Sequence, residues 1–382
     1  MNDTDTFPWW RKDASIVAAL VAMAAISFVV TLIFTRSYQR REQALAERWF
    51  QRGEAHLTQG RPREAIIDLR TAMLYEPDGP QFRLRLAQAL AANNDTPQAI
   101  AYFQNLWEGQ PGKGLYNLEL ARLYARSGDA RKATQFYNSA IYGAWDENPA
   151  EQRRRARLEY ITFLLANNSR TQAQAEAITL AAAVPPTDVQ ARFLAADILM
   201  KTGEYERAAE GYTSLLRNDP IRASTGAAEA AFQLGRFRSA LNYLQQALSK
   251  GPSSSLQAQL EQSKLVLAMD PVQHRLTAAE RARRVIEAYN TAGKRLQQCA
   301  AIKNEPLMAT PPTTDMQRLY DEWATLGPEP NAKRLAADPE DRDQVMNLTG
   351  RIEEATSRQC GTPAGADWAL LMLSRFGEGV ER

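Results

Sequence analysis

Small and apolar positions fall into a repeating order between residues 46 and 254. Ala65, Ala99, Ala133, Ala173, Ala208 and Ala240 recur at steps of 34, 34, 40, 35 and 32 residues. Around Ala65 stand Trp49, Gly53, His56, Gly60, Leu69, Ala72 and Pro77. Around Ala99 stand Leu86, Ala87, Leu90, Asn94, Phe103, Leu106 and Pro111, and around Ala133 stand Leu120, Ala121, Tyr124, Gly128, Tyr137 and Ala140. Spacings of three to five residues place each set on helical faces. Each unit therefore predicts two helices. Gly60, Asn94 and Gly128 suit the left-handed residue that closes the first of them. Pro77 and Pro111 end the second.

Three weaker units follow. Leu164, Asn168, Ala173, Ala177 and Pro185 mark the fourth, with a six-residue insertion placed before it in the charged stretch 151–157. Ala196, Leu199, Gly203, Ala208, Tyr212, Leu215 and Pro220 mark the fifth. Ala228, Ala231, Gly235, Ala240, Leu244, Ala247 and Pro252 mark the sixth. The small residues on both helices let two backbones approach closely, and Leu69, Phe103 and Tyr137 fill the space between successive pairs. A unit with one apolar face cannot stand alone, and stacking buries the faces on each other.

This pattern resembles the tetratricopeptide repeat, with its period of 34 residues. The resemblance implies an all-α fold: a right-handed superhelix of about six to seven helix pairs over residues 46–254. It also implies a concave groove lined by the first helix of each unit. By the repeat register, Phe50, Leu84, Leu118, Leu158 and Phe193 make an apolar stripe there, with Arg122 and Asp197 among the charges beside it. Such a surface suits an extended peptide or an amphipathic helix. The same residues also suit packing between neighbouring helices. The lysine and asparagine clamp with which some members hold a chaperone's terminal carboxylate is absent from the matching positions.

Before the repeats, residues 14–35 carry no charge and are rich in Ala, Val, Ile, Leu and Phe. At 1.5 Å per residue such a run covers the roughly 30 Å hydrocarbon core of a bilayer. Trp9, Trp10 and Tyr38, with Arg11, Lys12, Arg36, Arg40 and Arg41, form the aromatic and basic collar of a membrane span. A signal peptide or a buried core helix are the alternatives. A retained anchor fits the length and the lack of a small-residue cleavage pattern before Arg36. The expected order is a tail (1–13), a transmembrane helix (14–35) and a helical linker (36–45). Basic residues on both flanks leave orientation open. A short tail kept inside favours a periplasmic array in a bacterial inner membrane, and a cytoplasmic array is the alternative.

After Pro252 the register fades. Residues 255–302 predict two helices, taken as a capping pair or a degenerate seventh repeat, with Arg281, Arg283 and Arg284 on a solvated face. Residues 303–382 predict further helices between proline-rich connectors at 303–313 and 327–333. Leu319, Tyr320, Trp323 and Leu326 mark one helix. A second spans 338–358, with Asp338 before Pro339 as its cap, and a third lies near 364–376.

Composition narrows the chemistry. The chain has 382 residues, 45% of them apolar, and a net charge of +2, so no basic face for nucleic acid is expected. Arginine outnumbers lysine, which fits a GC-rich bacterial genome. The two cysteines, Cys299 and Cys360, are two unpaired thiols or one disulfide closing a loop of about sixty residues; a disulfide requires an oxidising compartment. Two histidines, no HExxH, no phosphate loop and no CxxC pair leave no expected enzyme activity, cofactor, metal or small-molecule substrate. Two functional readings remain. One is a membrane-anchored adaptor that assembles envelope proteins. The other is a constitutive subunit whose groove is filled by its neighbours.

Overall fold

The computed structural model describes residues 10–77, 79–327 and 330–376, with side chains from residue 17 onward. Among the described residues there are eighteen α-helices and no strand beyond one isolated bridge between Lys113 and Ala144. The collar expected at Trp9, Trp10, Arg11 and Lys12 lies outside the described side chains. The chain divides into two compact units, Met1–Asn168 and Ser169–Arg382.

The first unit opens on α1 (Trp10–Thr58), a single helix of 49 residues. Its N-terminal half contains an 18-residue window of mean hydropathy 2.7, none of it buried. Among the described residues this is the one helix long and apolar enough to cross a membrane, by length and composition. The same helix continues without a break through residues 36–45 and becomes the first helix of the first repeat, where Ala46 is fully buried. Then come α2 (Pro62–Tyr75), α3 (Pro80–Ala92), α4 (Thr96–Gly109), α5 (Gly114–Arg126), α6 (Ala130–Tyr142) and α7 (Pro149–Ala166). Each packs on its neighbours in the chain.

The sequence explains these elements. Asp95 and Asp129 cap α4 and α6, accepting hydrogen bonds from Gln98 N and Lys132 N. Pro62, Pro80 and Pro149 start helices at the position where no N–H is needed. The first helices of six units close on residues with positive φ: Gly60, Asn94, Gly128, Asn168, Gly203 and Gly235. Every rung of the alanine ladder, from Ala65 to Ala240, has no exposed surface. Close approach is visible at Gly53, where an added Cβ would lie 2.8 Å from Leu69 Cγ.

The step of 40 residues is resolved differently from the expectation. The stretch 151–157 is helical, and the extra residues give α7 an added first turn and lengthen the connection before it. That connection is fastened by Gly114 N to Ala144 O (2.7 Å) and Ala144 N to Gly112 O (2.8 Å).

The second unit begins with α8 (Arg170–Ala183) and continues with the pairs α9 (Val189–Thr202) with α10 (Tyr205–Thr213), and α11 (Pro220–Gln233) with α12 (Phe237–Leu248). After these come α13 (Ser254–Met269), α14 (Ala278–Lys303), α15 (Asp315–Leu326), α16 (Ala332–Ala337), α17 (Pro339–Cys360) and α18 (Gly365–Phe376). The helix pair expected over 255–302 does not form. Instead α13 packs on α12 and on α18, the last helix among the described residues, while α14 packs mainly on α17. The cause is where the apolar side chains go. Val285, Tyr289, Leu296 and Cys299 of α14 share a core with Leu348 and Ile352 of α17. Val266 and Met269 of α13 share another with Leu370, Leu371 and Leu373 of α18. Arg284, expected on a solvated face, is half-buried and donates to the Leu267 and Asp270 carbonyls at the end of α13 (3.0 and 2.9 Å). The connector at 327–333 was expected to be extended, but α16 begins within it at Ala332. Cys299 and Cys360 are bonded in the structure, their Cα atoms 5.8 Å apart, and the bond ties α14 to the end of α17.

Candidate protein-binding surface

In the first unit the expected contact residues lie on the first helices α1, α3, α5 and α7. Phe50, Leu84 and Leu158 are half-buried and keep some surface. Phe50 packs its ring on Phe82 with centroids 5.0 Å apart. Leu118 is different: it is 2% exposed and belongs to the packing between helices, so it offers nothing for a ligand to touch. It lies in a dense apolar run of α5, with Tyr116, Leu120 and Leu123 buried beside it.

The charges on this face are paired across successive first helices. Glu54 on α1 holds Arg85 on α3 at 2.7 Å, and Arg85 also donates to Gln88. Arg122 on α5 makes a fork to Glu159 on α7 (2.8 and 2.6 Å) and donates to Glu119 (2.8 Å). Arg155 adds a second cation to Glu159 at 3.4 Å. Burial opposes the charge on Glu159, but hydrogen bonds and charge from Arg122 and Arg155 outweigh it and hold the carboxyl below its usual range. Burial wins at Glu119 and pushes that carboxyl up, against the pull of Arg122. The two-pronged Arg122–Glu159 contact fixes both side chains in a plane.

In the second unit the expected residues are Phe193 and Asp197 on α9. Phe193 is 1% exposed, covered by Tyr212 and by the Arg222 guanidinium, whose carbon lies 4.3 Å from the ring centroid. Like Leu118, it sits behind the surface. Asp197 accepts from Tyr212 OH (2.5 Å) and from Arg222 Nη2 (2.9 Å). Burial and the bond to Asp197 push the Tyr212 phenol up, so it stays a donor.

The faces are therefore pre-ordered: charges already paired, with half-buried apolar side chains between them. The repeat register puts Arg222 on the same face as Asp197, but sequence reasoning did not pair Glu54 with Arg85 or Arg122 with Glu159 in the first unit, nor Asp197 with Tyr212 and Arg222 in the second. A signal existed in the first unit, since the opposite charges of Glu54 with Arg85 and of Arg122 with Glu159 stand 31 and 37 residues apart on successive first helices, near the repeat length. Among the described residues no group of three His, Cys, Asp or Glu side chains could hold a metal ion. His56 contacts the buried Asp68 at 2.9 Å, a link between α1 and α2 inside the first pair.

A family profile described as tetratricopeptide repeat matches residues 50–112, 164–221 and 225–268. The gap between the first two matches contains the lengthened connection before α7. No curated protein matches the chain. Solved structures similar to it include a tetratricopeptide repeat protein from Parabacteroides merdae, 16% identical, covering 80% of this chain and 99% of its own, with a TM-score of 0.38. Another is PilF of Pseudomonas aeruginosa, 17% identical, covering 58% of this chain and 98% of its own, also at 0.38. The recurrent helix pairs, their positive-φ breaks, the buried alanine ladder and the matched profile agree, and the chain belongs to the tetratricopeptide repeat family.

Proposed function

We propose that this chain is a membrane-tethered scaffold that binds partner proteins and supports assembly of an envelope complex. Tetratricopeptide folds generally mediate protein–protein interaction, which gives the coarse activity. The observation that carries the finer reading is α1. One uninterrupted helix leads from an exposed apolar stretch into the buried first repeat, so an embedded span would hold the array close to the bilayer without a flexible joint. Tethering of this kind raises the effective concentration for membrane-bound partners. In this reading the span lies in a bacterial inner membrane and the array faces the periplasm, where an oxidising environment keeps the Cys299–Cys360 bond.

The partner is an extended peptide or an amphipathic helix on the first-helix face of the first unit. Phe50, Leu84 and Leu158 are its apolar anchors, and the Glu54–Arg85 and Arg122–Glu159 pairs form the polar edges. The test is affinity purification of the full chain from detergent-solubilised membranes, beside a Leu84→Gln/Leu158→Gln variant. Partner recovery should fall at least tenfold while the helical circular-dichroism signal is kept. Equal recovery from a folded variant refutes the face.

A second reading, a constitutive subunit fixed to its neighbours, is favoured by the other side of the first pair. Ile67 and Leu74, seven residues apart on α2, are 65% and 80% exposed. Partners recovered at fixed stoichiometry, and lost with Ile67→Gln/Leu74→Gln rather than with the first variant, would select it.

A further inference from the structure

Glu353, on α17, has no exposed surface, and neither of its carboxyl oxygens has a hydrogen-bond partner. Beside it, in the first turn of α18, lies Asp367, whose Oδ1 is equally enclosed and equally without one. From α14 comes Arg295. Its Nη2 donates to the Gly361 carbonyl at 3.0 Å, and its Nε is enclosed with no partner. Asp367 and Arg295 are the charges that act on Glu353. On the other helices packed on α17, Glu322 of α15 pairs with Arg351 of α17, Asp315 pairs with Arg318 within α15, Arg334 of α16 pairs with Asp341 of α17, and Asp321 and Lys333 are exposed. Glu354, next along α17, accepts from Ser374 of α18 at 2.7 Å.

Two carboxylates cannot hydrogen-bond without a proton between them. Three enclosed carboxyl oxygens and an arginine engaged with a backbone carbonyl leave one simple resolution: a proton on Glu353, donated toward Asp367. Burial first, then the Asp367 charge, lift the Glu353 carboxyl to about 8 despite Arg295. Burial also raises Asp367.

The position of this pair gives it a mechanical meaning. The disulfide ties α17 to α14, whereas α18 joins α17 through a short turn with Gly361 and Gly365 both at positive φ. Beyond that turn, α18 brings Leu370, Leu371 and Leu373 onto Phe237, Val266 and Met269, and Trp368 stacks on Phe232 with centroids 6.0 Å apart. We propose that a proton shared by Glu353 and Asp367 latches α18 onto α17, so that α18 is released from α12 and α13 when this proton is lost as pH rises.

The sign follows from linkage. Docked, Glu353 keeps its proton until about pH 8; undocked, it titrates near its ordinary value of 4.5. Between those values undocking releases a proton. The undocking equilibrium then rises by up to about tenfold per pH unit and levels off above about pH 8.

The test is hydrogen exchange on the full chain in detergent micelles, read for the α18 peptides between about pH 5.5 and 9 after correction for intrinsic exchange. Peptides of α5 and α6 serve as the internal standard. Protection of α18 relative to that standard should fall by up to about tenfold per unit and then level off. In Glu353→Gln, which keeps a donor for Asp367 in the same volume, the profile should be flat. In Asp367→Asn the levelling point should move to lower pH, because the charge that raises Glu353 is gone. A pH-independent ratio in the unmodified protein overturns the proposal. So does an unchanged profile in either folded variant, and the unmodified profile decides if neither variant folds.

Discussion

Replacing Gly53 by alanine sets two effects of known sign against each other. Alanine is favoured over glycine inside a helix by about 1 kcal/mol. Against this, the new methyl would lie 2.8 Å from Leu69 Cγ, 3.0 Å from Leu69 Cδ2 and 3.4 Å from the Ala65 carbonyl oxygen. Leu69 and Ala65 have no exposed surface, so neither can swing into solvent. Cγ is the branch point of the leucine, and relieving the contact moves the whole isobutyl group or pushes α1 from α2. Overpacking of a closed site costs about 1–3 kcal/mol, and the tightness here points to the upper half. The expected net loss is about 1–2 kcal/mol. It is read from urea titration of the full chain in micelles, following the helical circular-dichroism signal. Gly109→Ala is the control, because nothing lies within 4 Å of a Cβ built there. It should be neutral or slightly stabilising. In a Leu69→Ala background, the Gly53→Ala loss should vanish or change sign. A Gly53→Ala protein more stable than the parent would show that the two helices are not held at this distance.

Other outcomes follow from the same contacts. Replacing both cysteines by alanine, or reducing the bond, should destabilise the α14–α18 region by about 4 kcal/mol for a link of 61 residues, with the exchange rates of α5 and α6 unchanged. Arg122→Ala leaves Glu119 and Glu159 half-buried without their shared cation and should cost about 2 kcal/mol; a double-mutant cycle with Glu159→Gln should recover most of that as coupling. Glu159 titrates below its usual range when folded, so its contribution is fully present above that range and lost as pH falls through the lowered value. Arg122→Ala should flatten that acid limb of stability, and an unchanged limb in the variant would contradict the pairing. Leu118→Ala, at a site 2% exposed, should cost about 2–4 kcal/mol, so weakened capture by that variant would report lost folding and not a lost contact.

The sequence by itself determined the repeats. Helix pairing within a unit is local: the small residues that meet at Gly53 and Ala65 are twelve positions apart, and the left-handed breaks and proline starts act within a turn or two. Such rules leave their mark as spacing, which is why the ladder, its turns and the long apolar stretch of α1 were legible. The binding face was legible only as a register. Register gives the side of a helix but not the depth of a side chain, and Leu118 and Phe193 turned out to be enclosed while Phe50, Leu84 and Leu158 were not. Tertiary structure alone decided the far end. That α18 rather than α14 packs on α13 depends on which of several apolar faces fit together, and sequence order does not contain that information. The same holds for Glu353, Asp367 and Arg295. They lie on three helices scattered along the chain, and each alone reads as an ordinary surface charge. Only the packing that encloses Glu353, one oxygen of Asp367 and the Arg295 Nε makes a proton between the two carboxyls matter.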